Sequence, residues 1–242
     1  MEAFRAGKNS LNRDEIAQLG DDIDGKSLLH LQCHFGQDTL SWAKMGAKAT
    51  GVDFSEKAIQ QASALNDEMG LDATFVQSNI YDLRENLEEQ FDIVFTSYGV
   101  LTWLPDLEEW ASIVHHFLKP GGIFYIMEFH PALYMLEWDT RKITFQYFNS
   151  GTPYEEETEG TYAEPGSDIK SKEYFWCHSL HEVVQPLLKQ GFRLLDFQEY
   201  PDTPYHAMPN LTKLPDGYYQ YKVGDVVLPH RYSLMMKKEE EF

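Results

Sequence analysis

Cysteine and long apolar runs are both scarce in this chain of 242 residues. The two cysteines, Cys33 and Cys177, belong to no CxxC pair, which excludes a disulfide framework and favours a reducing, cytoplasmic environment. No apolar stretch approaches the ~20 residues that a membrane span needs. The first ten residues, MEAFRAGKNS, lack the apolar run of a signal peptide. We therefore expect a soluble protein of the cytoplasm with no membrane partner.

Positive charge is also scarce. Lys and Arg number 20 against 39 Asp and Glu, so the formal net charge is -19. A phosphate backbone would be repelled over most of such a surface, and no stripe of Lys and Arg offsets the repulsion. We expect no nucleic-acid partner. The length suits one α/β domain with insertions, spanning residues 1–242.

Short apolar segments alternate with amphipathic ones from residue 27 onward. Helical spacing is predicted after most of the apolar segments, at 38–45, 55–69, 106–117 and 179–190, and a short helix near 11–19. Strands are predicted at 27–31, 47–52, 73–76, 91–96, 123–127, 192–199 and 231–237. This order predicts a doubly wound, Rossmann-like α/β fold with a seven-stranded, mostly parallel sheet. Because no helix precedes the last strand, that strand is expected to be antiparallel.

Three segments do not follow this rhythm: the N-terminal residues 1–24, and the tyrosine-rich stretches 129–178 and 200–229. We expect the two later stretches to be insertions that cover a substrate pocket. Their tyrosines and Trp176 would suit an apolar or aromatic substrate, or would only pack the cover. The acidic run 155–157 is predicted to be a solvated turn.

The order of elements resembles that of the class I S-adenosylmethionine-dependent methyltransferases, from about residue 26 to residue 238. The segments that carry the resemblance are LLHLQCHFGQDTLSWA, ATGVDFS, FVQSNIYDL, FDIVFTSYGVLTWLPDL and LKPGGIFYIMEFHP. The LQCHFG loop and the LPHRYSLM strand resemble a bacterial branch that acts on small molecules. The resemblance implies S-adenosyl-L-methionine as cofactor and in-line methyl transfer to a small-molecule acceptor, in a monomer or homodimer.

The cofactor site is expected at the carboxyl ends of the strands, where open α/β sheets bind ligands. The loop after the first strand carries Gln32, His34 and Gly36 where most relatives have three glycines, with Cys33 between them. Backbone N–H groups of this loop and the start of the next helix suit a carboxylate. Relatives often have an acidic residue at the position of His30.

Four further residues are expected to hold the nucleoside. The resemblance implies that Asp53 accepts hydrogen bonds from the ribose hydroxyls. The alternative is a helix-capping Asp in a turn, although Ser55 already offers a cap. Phe54 could pack on the adenine. Asn79 and Ile80 could meet its polar edge, although Asn79 could equally stabilise a turn.

The methionine end of the cofactor is expected near Ser97 and Tyr98, after the fourth strand. An aromatic face such as Tyr98 or Trp103 could favour the sulfonium cation, with a core position as the alternative for Trp103. If the acceptor must lose a proton, His130, Glu128 and Tyr98 are the candidate bases. The alternative for His130 is a hydrogen bond to the backbone at the hinge of the insertion.

A metal site and two rival functions are the remaining alternatives. His30, Cys33 and His34 are ligand types for zinc, but their spacing matches no structural zinc pattern, so we expect no metal. A nicotinamide-dependent oxidoreductase would need glycines at 32, 34 and 37, which are absent. A non-catalytic module that only binds S-adenosylmethionine is the other alternative, because two of the three loop glycines are replaced.

Overall fold

The computed structural model describes residues 2–159 and 170–239. The helices in this part of the chain are α1 (Glu2–Arg5), α2 (Arg13–Leu19), α3 (Gln37–Lys44), α4 (Glu56–Met69), α5 (Leu83–Asn86), α6 (Leu107–Phe117), α7 (Pro131–Tyr134) and α8 (Leu180–Lys189). Short 3-10 turns lie at Gly20–Asp22, Ile80–Asp82 and Leu101–Trp103. None of the helices described has both the length and the apolar character to cross a membrane.

The strands are β1 (Ser27–Leu31), β2 (Lys48–Asp53), β3 (Thr74–Gln77), β4 (Phe91–Thr96), β5 (Leu118–Phe129), β6 (Leu136–Glu137), β7 (Lys142–Ile143), β8 (Tyr154–Glu159), β9 (Lys170–Phe175), β10 (Phe192–Tyr200), β11 (Thr212–Lys213), β12 (Tyr219–Gln220), β13 (Lys222–Val223), β14 (Val226–Val227) and β15 (Arg231–Lys238). Seven of them form one sheet in the order β10-β15-β5-β4-β1-β2-β3. Strands β1 to β5 pair in parallel, and β15 runs antiparallel to both β5 and β10. The predicted doubly wound fold and its antiparallel last strand are confirmed.

The sheet is buried on both faces because successive residues of each central strand point to opposite sides. Val94 and Phe124 pack in the cluster that contains α6 and α8. Their chain neighbours Phe95 and Tyr125 pack in the other cluster, with residues of α2 and α3. A strand that is covered on both faces has a continuous apolar sequence, and this pattern made the strands predictable.

Strand β5 begins at Leu118, five residues earlier than the predicted start at Ile123. Residues 118–122 lie next to β4 only, since β15 pairs with 123–129. Pro120 lacks a backbone N–H, and a strand with one free side tolerates that loss. A register shift between Phe91 and Ile93 accommodates the extra residues.

Short hairpins occupy the two stretches that break the α/β rhythm. In residues 129–178, α7 is followed by the hairpins β6–β7 and β8–β9, and residues 200–229 contain β11–β12 and β13–β14. The prediction of a turn at 155–157 was wrong, because these residues belong to strand β8 and pair with β9. Their side chains are exposed, as expected, and the carboxylate of Glu155 pairs with Lys172.

A buried guanidinium joins the sheet to its covering segments. Arg231, the first residue of β15, has a side chain with 0% exposure, and it pairs with Asp14 of α2 at 2.6 Å. Its Nη2 pairs with the Asp202 carboxylate at 2.9 Å, and its Nε donates to the Asp202 carbonyl at 2.8 Å. The guanidinium also lies 4.1 Å from the ring centroid of Tyr200. One side chain therefore fixes α2 and the segment 200–229 to the sheet.

We expect the substitution Arg231→Ala to lower the free energy of unfolding by about 3–5 kcal/mol, because it leaves Asp14 and Asp202 without their buried partner and only with the exposed Arg13, at 3.9 and 4.0 Å. Denaturant titration of the purified variant measures this loss. The control is Arg193→Ala, which removes an arginine whose pair with Glu239 is exposed at the surface. This control should change stability little. Equal effects of the two substitutions would contradict the role assigned to Arg231.

Candidate cofactor site at the carboxyl ends of the strands

The loop after β1 has the backbone of a glycine-rich loop at positions that are not glycine. Gln32 and His34 have φ angles of 55° and 51°, in the left-handed region. For a residue with a Cβ this conformation costs roughly 1–2 kcal/mol. Two hydrogen bonds from neighbouring segments hold the loop: the Cys33 N–H donates to the carbonyl of Val52 at 2.8 Å, and the His34 N–H donates to Asp53 Oδ2 at 2.8 Å.

Gly36 closes the loop and lies at the N-cap of α3, with a φ of 71°. A Cβ at this position would lie 2.6 Å from the ring of Phe75 and 2.7 Å from the methyl group of Ala62. Both the backbone angle and the lack of space therefore require glycine here. The one loop glycine that the sequence retains is the one that packing demands.

Asp53 is buried at the end of β2, beside this loop. Its Oδ2 accepts from the His34 N–H and its Oδ1 accepts from the Ser55 N–H at 2.9 Å. The cap of helix α4 is Ser55, whose hydroxyl accepts from the Ala58 N–H at 3.3 Å, so Asp53 is not the capping residue. A carboxylate offers about four acceptor positions, and these two bonds leave the others for a ligand. The neighbouring ring of Phe54 is 73% exposed.

Unfilled acceptors at this edge fit the donors of S-adenosylmethionine. The Gln32 side chain donates through Nε2 to the carbonyl of Val100 at 3.2 Å. Its Oε1 is buried without a hydrogen-bond partner among the described residues. Together with the Asp53 carboxylate, it offers acceptors of the kind that hydroxyl and ammonium groups require.

Asn79 and Ile80 follow the end of β3, at the same carboxyl edge of the sheet as Asp53. The Asn79 side-chain oxygen accepts from the Tyr81 N–H at 3.0 Å and begins the 3-10 turn at Ile80. The turn-stabilising role that was the alternative for Asn79 is therefore present. Asn79 itself is exposed and Ile80 is 7% exposed. Contact of either residue with adenine stays a prediction.

His30 joins the ends of two neighbouring strands. It is 1% exposed on β1, and its Nδ1 lies 2.8 Å from the Thr39 hydroxyl, while its Nε2 lies 3.1 Å from the Ser97 hydroxyl. Burial lowers the pKa of His30 to about 3, so the ring is neutral at pH 7. A neutral imidazole at the end of β1 thus holds Ser97 in place.

The neighbouring cysteine is buried between the two histidines of this segment. Burial raises the pKa of the Cys33 thiol. The ring of His34 packs on Phe35 at 3.8 Å between centroids. Over residues 2–159 and 170–239, no group of three or more His, Cys, Asp or Glu side chains is arranged to hold a metal ion.

Glu128 shapes the loop that follows β4. Its buried Oε1 accepts from the N–H groups of Gly99 at 2.5 Å and Phe129 at 2.6 Å. Its Oε2 accepts from Val100 at 2.9 Å and Leu101 at 3.1 Å. Four backbone donors therefore use the acceptor positions of this carboxylate. Burial raises the pKa of Glu128, and these four hydrogen bonds oppose the rise.

The other two candidate bases are also held by hydrogen bonds. His130 accepts from the Ala132 N–H through Nδ1 at 3.1 Å, which caps α7, and its Nε2 lies 2.9 Å from Glu199 Oε1. The hydroxyl of Tyr98 is bonded by the Asn12 amide. Burial raises the pKa of Tyr98, and the negative charge of Glu15 adds to the rise, so its phenol is neutral at pH 7. Trp103 is 46% exposed and is not a core residue.

Sequence reasoning did not single out Asn12 and Glu15, which helix α2 places against Tyr98. The capping-box pattern of an Asn followed three residues later by a Glu is visible in the sequence, and it signals the start of a helix. That signal identifies the local structure only. The position of the box over the ends of β4 and β5 depends on the ion pair between Asp14 and Arg231.

Comparison with known proteins agrees with this geometry. Residues 29–124 match a family model described as a methyltransferase domain. An uncharacterised methyltransferase of Synechocystis sp. is 35% identical over 54% of this chain and 60% of its own length. A ubiquinone biosynthesis O-methyltransferase of Alkalilimnicola ehrlichii is 31% identical over 60% of this chain and 59% of its own length. The chain thus spans about three fifths of the length of each of these two relatives.

Solved structures share the whole fold. A putative S-adenosylmethionine-dependent methyltransferase from Listeria monocytogenes superposes with a TM-score of 0.64 at 20% identity, covering 94% of this chain and 96% of its own. One from Methanosarcina mazei gives a TM-score of 0.61 at 20% identity, covering 96% and 99%. The fold is thus that of the class I methyltransferases. Within this fold, residues 29–124 match the methyltransferase domain model.

We expect Gly36→Ala to destabilise the protein by about 2 kcal/mol or more, since it combines a left-handed backbone with a clash against Phe75. Thermal or denaturant unfolding measures the change. Gly70→Ala is the control, because Gly70 has a similar φ of 62° and a Cβ added there would meet nothing within 4 Å. The Gly70→Ala variant should lose only the stability that a left-handed backbone costs a residue with a Cβ. A loss at Gly36 no larger than that at Gly70 would contradict the packing argument.

Stability should also depend on pH through His30. The unfolded imidazole binds a proton below about pH 6.5, while the buried one does not until about pH 3, so stability falls as pH falls between these values. The slope is at most about 1.4 kcal/mol per pH unit. We expect denaturant unfolding at pH 4, 5 and 6 to show a flatter profile for His30→Gln than for the wild type. Parallel profiles would contradict the neutral, buried state of His30.

Proposed function

We propose that the protein transfers a methyl group from S-adenosylmethionine to a small-molecule acceptor in the cytoplasm, by in-line displacement. The observation that carries this proposal is the loop after β1. It keeps the left-handed backbone of a glycine-rich loop at Gln32 and His34, and it is bonded directly to the buried Asp53. A chain that had lost its cofactor would have no need to maintain this conformational cost.

The residues suit successive parts of the cofactor. The remaining acceptor positions of Asp53 would bind the ribose hydroxyls, with Phe54 and the Asn79–Ile80 turn beside the adenine. The backbone N–H groups of residues 32–36 and the start of α3 would face the carboxylate. Ser97 and Tyr98 would lie near the sulfur. When bound, the cofactor supplies an activated methyl group and a neutral thioether as leaving group.

Charge and enclosure both support a small acceptor. The net charge of -19 opposes long phosphate backbones. Helix α2 lies over one part of the carboxyl edge, where Asn12 reaches Tyr98, and residues 200–229 are tied to the same helix through Asp202 and Arg231. A covered site excludes water and holds a small nucleophile close to the methyl group.

The matched relatives favour an oxygen or nitrogen acceptor. Several of them are named ubiquinone biosynthesis O-methyltransferases, and one structural neighbour is a glycopeptide N-methyltransferase at 16% identity and a TM-score of 0.54. By analogy, the acceptor of this chain carries a hydroxyl or an amine. Aromatic rings near the edge, Tyr98, Phe129 and Tyr205, would pack against an organic acceptor.

The three candidate bases are assigned different roles in this proposal. Glu128 is a positioning residue, because three of its four hydrogen bonds would fix the loop at 99–101 beside the methyl group. His130 is a positioning residue for α7 through its bond to Ala132. Tyr98 would contact the reacting atoms as a neutral phenol. A proton acceptor must then come from another element.

We expect the purified protein to bind S-adenosylhomocysteine with micromolar affinity, and Asp53→Asn to weaken that binding at least about tenfold. The substitution removes the charge from the ribose hydrogen bonds, which are worth about 1.5–3 kcal/mol. Calorimetric titration measures both affinities. The control is Asp67→Asn, on the exposed side of α4, which should bind as the wild type does.

NADH and NADPH serve as negative ligands in the same titrations, since the loop lacks the glycines of a nicotinamide site. Absence of S-adenosylhomocysteine binding in a folded wild-type protein would refute the proposed function. Binding without any methylated product would instead support the non-catalytic module.

A further inference from the structure

Glu15 is a buried carboxylate of which only one oxygen is used. It is the third residue of α2 and is 0% exposed. Its Oε2 accepts from the backbone N–H of Asn12 at 2.9 Å and from the Asn12 side-chain amide at 2.6 Å. These bonds complete the capping box of the helix. Its Oε1 is buried with no hydrogen-bond partner in the described part of the chain.

A cap alone does not explain this arrangement. The capping box needs one carboxylate oxygen at the Asn12 N–H, and such boxes lie at exposed helix ends as well. Burial of the second oxygen without a partner costs about 1–3 kcal/mol. Carboxylates held in this state are common at ligand sites, where the missing partner belongs to the ligand.

Charged and titratable groups from several elements face Glu15. They are Asp14 on its own helix, Asp38 at the start of α3, Tyr98 after β4, Tyr125 on β5 and Arg231 on β15. Burial raises the pKa of Glu15 well above its usual value, the charges of Asp38 and Asp14 add to the rise, and Arg231 opposes it. The pKa of Glu15 is therefore higher than that of an exposed glutamate.

The location of Glu15 follows from its bridge to Tyr98. The Asn12 amide bonds both Glu15 Oε2 and the Tyr98 hydroxyl, so Glu15 lies one side chain away from the end of β4. Neighbouring Ser97 is bonded to His30 at the end of β1. These two strand ends lie beside the loop at 32–36, where the methionine part of the cofactor is proposed to bind. Helix α2 thus brings Glu15 within one side chain of these strand ends.

We propose that Glu15 presents its Oε1 to the methyl acceptor, and that it takes first a hydrogen bond and then the proton from an acceptor that carries an O–H or N–H group. The inference rests on the proposed methyl transfer. In that step a bond forms between the acceptor atom and the methyl carbon, and the carbon–sulfur bond breaks with its electron pair left on sulfur. The acceptor's bond to hydrogen breaks, its pair stays on the acceptor, and the proton goes to Glu15.

Sinefungin tests this placement without knowledge of the acceptor. It is an analogue of S-adenosylmethionine that carries an amine on carbon in place of the methyl-bearing sulfur, so its ammonium marks the methyl position. At pH 7.5 we expect the wild type to bind sinefungin about tenfold or more tightly than S-adenosylhomocysteine, through a charge-assisted hydrogen bond to Glu15. Calorimetry gives both affinities.

The variant Glu15→Gln keeps the size of the side chain and an acceptor oxygen for the cap. We expect it to bind S-adenosylhomocysteine as the wild type does and to lose the preference for sinefungin. The control Glu88→Gln changes an exposed glutamate of the same charge and should keep the preference. Equal weakening of both ligands in Glu15→Gln would place Glu15 at the amino-acid end of the cofactor and overturn the proposal.

The wild type alone provides a second measurement, which needs no folded variant. The sinefungin preference should shrink as the pH falls, because protonation of Glu15 removes the negative charge. If Glu15 served only as a helix cap, the preference for sinefungin would not change with pH. A preference that is absent or constant with pH would overturn the inference. Failure of S-adenosylhomocysteine to bind at all would instead refute the proposed function, so the two failures are distinguishable.

The two kinds of acceptor are separated by ring-matched probes added to the protein saturated with S-adenosylhomocysteine. Phenol supplies an O–H, benzylamine supplies an N–H, and anisole supplies neither. Ligand-observed NMR should detect binding of phenol or benzylamine that is stronger than that of anisole and is weakened in Glu15→Gln. The probe that responds identifies the acceptor atom, whereas no response of either probe to the substitution would count against Glu15 as the contact.

Discussion

A guanidinium with no solvent contact holds three distant parts of the chain together. Arg231 at the start of β15 is bonded to Asp14 of α2 and to both the carboxylate and the carbonyl of Asp202. Removing a charge from water is costly, so this arrangement is stable only with its partners in place. The position of α2, and with it that of Glu15, depends on this cluster.

The loop after β1 illustrates a second way in which tertiary contacts determine local structure. Gln32 and His34 take left-handed conformations that glycine adopts at little cost, and hydrogen bonds to Val52 and Asp53 stabilise them. Gly36 remains because Phe75 and Ala62 leave no space for a Cβ. The left-handed geometry of the loop is therefore present although two of its positions are not glycine. These two residues do not favour that backbone conformation by themselves, and tertiary contacts stabilise it.

The site was only partly predictable from the sequence. The position of Asp53 at the end of an apolar strand was predictable, and the structure has it at the end of β2, whereas its contact with the ribose stays a prediction. Glu128 was identified as a base candidate by its position at the carboxyl end of the fifth strand, but its carboxylate is used by three backbone N–H groups of the loop after β4 and by that of Phe129. No pattern within the sequence indicates which distant donors will meet a given carboxylate, since that depends on how strands pair.

The sequence by itself determined the order of strands and helices, because a strand buried on both faces must be apolar and an amphipathic helix must repeat at 3.6 residues. It also determined the ends of most elements through caps such as Ser55 and Ser179. Only the tertiary structure decided which polar groups meet at the carboxyl edge. The unpaired oxygen of Glu15 and the neutral state of His30 both arise from burial, and burial is a property of the packed chain and not of its local sequence.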